Sequence, residues 1–253
     1  MQKEKRLIWG RQYRSFIDAF VLDKKFFMSY LYDIVFYFLI ILSFIFWGSL
    51  LKGKAEALAG IDYSSVFLGS QQQMDASLNV LQSFLVYLLS SLIVLILVMV
   101  LIFTVFKGMI WTSLMGEKRN LRYFKNLFFA NALFYIPFIL LLTFLLFKDM
   151  GIIAGIVFLF VMHFNALSIY YISSGKGFRS GLGNAFKSGV NVHRFILFYA
   201  LFGALFFILD LFFGLVRENF TSNLYSGTVI LLILVFFLCI VRNGFIKLVE
   251  KIK

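Results

Sequence analysis

The sequence predicts an all-α integral membrane protein, a six-helix bundle built from three helical hairpins. Three observations point there. Apolar residues make up 62% of the 253 positions and charged residues only 14%, with a mean hydropathy of +0.93, against about a quarter charged in a soluble domain. Six apolar runs are each long enough to cross a hydrocarbon core of about 30 Å, which takes about 20 helical residues. The lysines and arginines between those runs alternate between rich and poor connections.

The runs lie at about 26–51, 80–106, 126–147, 151–172, 195–216 and 227–246. They are continuous stretches of Leu, Ile, Phe and Val, unlike the short alternating segments of a membrane barrel, so helices are the predicted form. Residues 1–25 are read as a cytoplasmic amphipathic segment, without the apolar core and cleavage site of a signal peptide. Residues 26–253 are read as a single transmembrane domain. Trp9, Trp47, Trp111, Tyr123 and Tyr170 fall near run ends, where amphipathic rings prefer the headgroup level.

Of the 24 basic residues, twenty lie in the amino-terminal segment, the second and fourth connections and the tail, and four in the remaining connections. Cation-rich connections resist translocation, so this pattern places both termini in the cytosol and the chain in the cell membrane. It also accounts for the net charge of +12 without nucleic acid, for which no recognition module is visible.

Spans 1, 3 and 5 are each approached by an amphipathic stretch: 15–20 (SFIDAF), 120–126 (NLRYFKN) and 183–188 (GNAFKS). Each either lies in the interface with its basic face toward lipid phosphates, or forms the first turns of a long tilted helix. Lys118, Arg119, Arg122, Lys125, Arg179 and Lys187 are the expected contacts to anionic lipid or a partner. The first loop, 52–79, is read as a connector, with an extracellular lid as the other reading.

Polar groups inside the spans are few. Asp33, Asn131, His163, Asn165 and Arg242 all fall in the inner half of the bilayer by helical rise. They are read as a buried polar cluster open toward the cytosol; the plainer reading has Arg242 snorkelling, Asp33 in the headgroups and the asparagines bonding neighbouring helices. Asp210 lies near the outer end of span 5, with Tyr87 and Ser91 of span 2 as its proposed partners. Pro137 predicts a kink in span 3, and the spacings Gly151 to Gly155 and Ala200 to Ala204 predict close helix contacts. Cys239, the one cysteine, is assigned to packing.

No catalytic, cofactor or metal signature stands out. His163 has no nearby glutamate for a metalloprotease motif, and the run Ser173-Ser174-Gly175-Lys176-Gly177 departs from both the hydrolase elbow and the phosphate-binding loop. The stretch 181–205 (GLGNAFKSGVNVHRFILFYALFGAL) resembles a feature of uncharacterised prokaryotic six-helix membrane families, in which an Ala-Phe/Leu-Lys-x-Ser segment precedes a span. The resemblance implies an integral membrane fold and no reaction. A permease-type component similar to the membrane subunits of ATP-binding-cassette exporters is the leading expectation, with 120–126 as the segment that couples to a separate ATPase. A structural or assembly factor that binds anionic lipid or partner proteins is the alternative.

Overall fold

A computed structural model of the chain describes residues 2–59, 70–116, 120–219 and 223–252. All the regular structure in them is helical. α1 spans Gln2–Asp18, α2 Lys24–Ala59, α3 Gln71–Met115, α4 Leu121–Phe147, α5 Gly151–Ser173, α6 Phe178–Gly189, α7 Ile196–Asn219 and α8 Asn223–Ile252, with a 3-10 turn at Val192–Arg194 before α7. Six of them, all but α1 and α6, are long and apolar enough to cross a membrane. The chain is a multi-pass, all-α membrane protein.

The helix starts follow local chemistry. The Asp23 carboxylate accepts the Phe26 N–H at 2.8 Å at the head of α2, and the Asn120 side-chain oxygen accepts the Tyr123 N–H at 2.7 Å at the head of α4. Ser70 and Gln73 cap α3 reciprocally: the Gln73 N–H donates to Ser70 Oγ at 3.4 Å, and the Ser70 N–H to Gln73 Oε1 at 3.0 Å. Each cap satisfies amide groups that the first helical turn leaves open. α4 continues through Pro137 to Phe147, so the proline does not end the helix.

Two of the three amphipathic approaches are separate helices and one is not. α1 and α6 stand apart from the spans that follow them, whereas 121–126 is the opening of α4 itself. α2 and α3 also extend well beyond the apolar runs that announce them.

The described residues fall into two compact units, Met1–Val35 with Thr104–Lys253, and Phe36–Phe103. In the first, α1 packs on α7 and α8, α4 on α5, and α6 folds back along α5. That return is made by small residues. Gly181, Ala185 and Gly189 are buried four apart, and a Cβ on Gly181 would lie 2.6 Å from Ile172 and one on Gly189 2.5 Å from Phe164. Gly108 likewise admits Phe124 and Leu127, and Gly244 admits Ala19. Gly151 and Gly155, expected from their spacing to mark a close contact, meet nothing within 4 Å, and Ala200 and Ala204 are exposed. Small residues at that spacing permit approach, but a facing helix has to be there.

α1 is docked by three residues that face the bundle, Gln12, Ser15 and, just past its end, Ala19, all fully buried. The Gln12 amide donates to the His193 carbonyl at 3.2 Å, and its oxygen accepts the Phe198 N–H at 3.1 Å. One side chain thus satisfies an open amide in the first turn of α7 and a carbonyl of the preceding turn. Arg11 Nη1 donates to the Lys251 carbonyl, Lys251 pairs with Asp18 at 2.6 Å, and Asn243 donates to the Ala19 carbonyl at 3.1 Å. The Lys251 ammonium holds the Asp18 carboxyl below its usual range, chiefly through that hydrogen bond. Trp9, Tyr13 and Ile17 form an exposed apolar strip beside the docking face, the pattern of an interfacial helix.

The second unit is the remainder of α2 and α3. Phe36 meets Phe103 edge-to-face at 5.8 Å, Trp47 Nε1 donates to Ser91 Oγ at 3.1 Å, and Lys54 lies 5.9 Å from the centre of the Tyr87 ring. Leu95 and Val100 are buried, and many of the other apolar side chains on this hairpin are exposed, as with Phe46, Val86, Leu89, Ile93 and Val94.

Candidate functional site

The best-defined polar group in the spans sits in the first unit and joins α2, α3 and α8. Asp33 is 1% exposed. Its Oδ1 meets Lys107 Nζ at 2.5 Å, and its Oδ2 meets Arg242 Nη2 at 2.6 Å. Cys239 donates its thiol to Asp33 Oδ2 at 2.9 Å, and Arg242 Nη2 also donates to Ser29 Oγ at 2.5 Å. One carboxylate therefore holds two cations, leaving a formal excess of one positive charge in a shielded place. Arg242 Nε, also buried, has no hydrogen-bond partner among the described residues.

Lys107, Cys239 and Ser29 are additions to the expected cluster. Lys107 is assigned by sequence to a connection, yet its side chain is only 14% exposed and within the span. The signal was present: after Lys107 the apolar character resumes in Gly108-Met109-Ile110-Trp111, so the lysine is embedded in a run rather than ending one. Cys239, assigned to packing alone, is a thiol donor to the buried carboxylate.

The structure brings Asp33 and Arg242 together and gives the other three residues of the expected cluster partners of their own. Asn131 donates to Thr104 Oγ1 at 3.1 Å, linking α4 to α3. Asn165 donates to the Tyr135 hydroxyl at 2.9 Å, linking α5 to α4. His163 Nδ1 pairs with the Tyr199 hydroxyl at 2.5 Å, and its Nε2 lies 3.3 Å from the Gly189 carbonyl. All three are interhelical contacts, the use to which polar residues in spans are commonly put. The side-chain oxygens of Asn131 and Asn165 have no partner among the described residues.

Asp210 is exposed and makes no ion pair among the described residues. Ser91 and Tyr87 belong to the other unit, where Ser91 also donates to the Leu88 carbonyl and Tyr87 lies beside Lys54. Of the six basic residues expected to meet lipid or a partner, Arg122, Lys125, Arg179 and Lys187 are exposed, and none has a carboxylate partner among the described residues. Lys118 and Arg119 lie outside the described residues, as do positions 60–69 of the first loop.

Around the basic end, buried aromatic rings tie the helices together. Trp111 meets Tyr170 and Phe245 edge-to-face, each at 6.4 Å, and Phe245 stacks on Phe195 at 5.9 Å. Tyr123 donates its hydroxyl to the Gly108 carbonyl at 3.2 Å and shares a hydrogen bond with Ser173 at 2.9 Å. No group of three or more His, Cys, Asp or Glu side chains converges among the described residues in a way that could hold a metal ion. No family model, curated protein or solved structure matches the chain.

Proposed function

We propose that the chain is a non-enzymatic component of the cell membrane, inserted with both termini cytoplasmic, whose basic end engages anionic lipid headgroups. The observation that carries this reading is the contrast between two sets of cations. Lys107 and Arg242 are both paired internally with Asp33, whereas Arg122, Lys125, Arg179 and Lys187 are exposed without a carboxylate partner among the described residues. Cations near the membrane surface attract anionic lipid by about 1 kcal/mol each. The exposed strip of Trp9, Tyr13 and Ile17 on α1 supports the same placement, since such a face seats a helix at the acyl boundary.

The test is lipid enrichment. The chain is reconstituted in mixed phosphatidylcholine and phosphatidylglycerol vesicles and extracted as native nanodiscs, and the lipid carried with it is quantified. The wild-type protein is expected to enrich phosphatidylglycerol, and the replacement of Lys125, Arg179 and Lys187 by glutamine to reduce the enrichment and its dependence on salt. Enrichment that ignores both salt and these charges contradicts the reading. Orientation is checked separately: with Cys239 replaced by serine, cysteines introduced at 125 and 187 should resist an impermeant maleimide applied outside intact cells, while one at 56 or 148 reacts.

A second reading, a permease-type component working with a separate ATPase, is favoured by one observation, the charged group in the spans with its excess positive charge and an Arg242 Nε that has no partner among the described residues. Ionisable groups at such depth commonly mark transport paths. It predicts that mild extraction from the native membrane brings down an ATP-hydrolysing subunit. Purification without any such activity counts against it.

A further inference from the structure

A cavity of about 280 Å³ opens between the head of α4 and the turn that joins α5 to α6. It is lined by Asn120, Arg122, Asn126, Ser173 and Lys176, among others, and no carboxylate lines it among the described residues. Its floor is fixed by the Tyr123 and Ser173 hydroxyls, which bond each other at 2.9 Å and are both buried. Asn120 accepts the Tyr123 N–H through its oxygen, so its amide nitrogen is left as a donor. Asn126 adds a second amide without a hydrogen-bond partner among the described residues.

Lys176 is held in place by two features of the turn. Gly175 has φ of +81°, a conformation that L side chains rarely adopt, and the tight turn it permits puts Lys176 at the rim. The ammonium lies 4.8 Å from the centre of the Tyr171 ring, within reach of the ring's negative face. Arg122 stands across the cavity with a planar fork suited to paired oxygens. Two cations and two amides thus line one space, with no acid to neutralise them among the described residues.

We infer that this cavity binds a phosphate group, with Arg122 and Lys176 as its charged contacts and Asn120 and Asn126 as neutral donors. A tetrahedral dianion matches both the charge and the number of donors. The cavity lies at the ends of two spans, where headgroup phosphates are found, so a lipid phosphate and a free phosphate are the two sources of the same chemistry. The inference deepens the lipid reading and rests on it for the source of the ligand, not for the existence of the site.

The experiment measures the thermal unfolding midpoint of the full chain in phosphatidylcholine nanodiscs. One arm adds inorganic phosphate, and the other includes phosphatidic acid in the disc. The midpoint is expected to rise in at least one arm, and Arg122→Gln and Lys176→Gln each to weaken the apparent affinity about tenfold, the scale of a lost charge-assisted contact. Both positions are at the surface of the cavity, so the variants should unfold normally without ligand. Lys125→Gln, which removes a nearby charge outside the cavity, measures what diffuse attraction contributes, and Lys148→Gln serves as an unaffected control. A rise with phosphatidic acid alone assigns a lipid ligand, and a rise with inorganic phosphate alone assigns a soluble one.

The proposal is overturned if neither arm raises the midpoint, if chloride at equal ionic strength does the same, or if the cavity variants lose no more than Lys125→Gln. Loss of phosphate response in the cavity variants, alongside phosphatidylglycerol enrichment that ignores the exposed basic residues, retains the site and rejects the broader lipid reading.

Discussion

The two compact units solve the problem of living in lipid in opposite ways. In the first, helices are joined by polar side chains that reach across to one another: Asp33 with Lys107 and Arg242, Asn131 with Thr104, Asn165 with Tyr135, and His163 with Tyr199. In the second, the Trp47 to Ser91 bond and the contact of Phe36 with Phe103 join two helices that bury few other side chains, Leu95 and Val100 among them, and leave many apolar ones exposed. The most apolar stretch of Lys24–Glu56 is 6% buried, while that of Ser226–Ile252 is 44% buried. In water the exposed hairpin would be untenable. In a bilayer apolar surface gains little from being covered, so fixed geometry has to come from close packing and from polar groups that have nowhere else to bond.

The largest expected effect tests the polar side of that contrast. Asp33→Ala leaves two buried cations facing each other and should destabilise the fold by about 3–5 kcal/mol, measured by denaturant titration in mixed micelles. Replacing Asp33, Lys107 and Arg242 together by leucine should recover most of the loss, because the charges then go as a set; failure to recover would assign the triad a role beyond mutual neutralisation. Next comes close packing. Gly189→Ala places a methyl 2.5 Å from Phe164 and should cost about 1–3 kcal/mol with α6 loosened from α5, read as faster proteolysis between 174 and 195. Gln12→Leu strands the Phe198 N–H and the His193 carbonyl and should cost about 1–3 kcal/mol, with the amino-terminal helix becoming accessible to protease.

The hairpin should respond less. Trp47→Phe removes its interhelical hydrogen bond and should cost about 0.6 kcal/mol, a typical value for such bonds in membranes. A loss as large as that of Asp33→Ala would erase the distinction between the units. The smallest effect concerns Asp18, whose carboxyl is held below its usual 3.8 by Lys251. Because the folded value is depressed, the contribution is fully present above the unfolded value and is lost as pH falls below it and through the folded one. Amino-terminal protease protection should therefore weaken only below about pH 4, and Asp18→Asn should flatten that dependence.

Most of the architecture was legible because it depends on composition over long windows. Six continuous runs of Leu, Ile, Phe and Val leave helices as the one economical way to satisfy the backbone in hydrocarbon. The ends were less legible, because α2 and α3 continue past the apolar stretch as helices, and nothing in the residues beyond Leu51 or before Val80 forbids that. The Asp33 and Arg242 pair could be guessed from depth alone. Lys107 is harder to place, because a lysine commonly ends a span, and only the apolar residues after it show that this one lies within the helix. Gln12 was invisible for a different reason: a glutamine in a polar segment gives no sign that it will cap a helix 186 positions away. The residues of the proposed phosphate cavity come from two separate segments, the head of α4 and the turn between α5 and α6, and acquire meaning only when the fold brings them together.

The seat of α1 has a consequence for how the protein is made. Gln12 needs His193 and Phe198, and Arg11 and Asp18 need Lys251, at separations of 181 to 240 residues. α1 is thus made long before the segments that seat it, and it waits beside the growing assembly until α8 has been threaded into the bilayer.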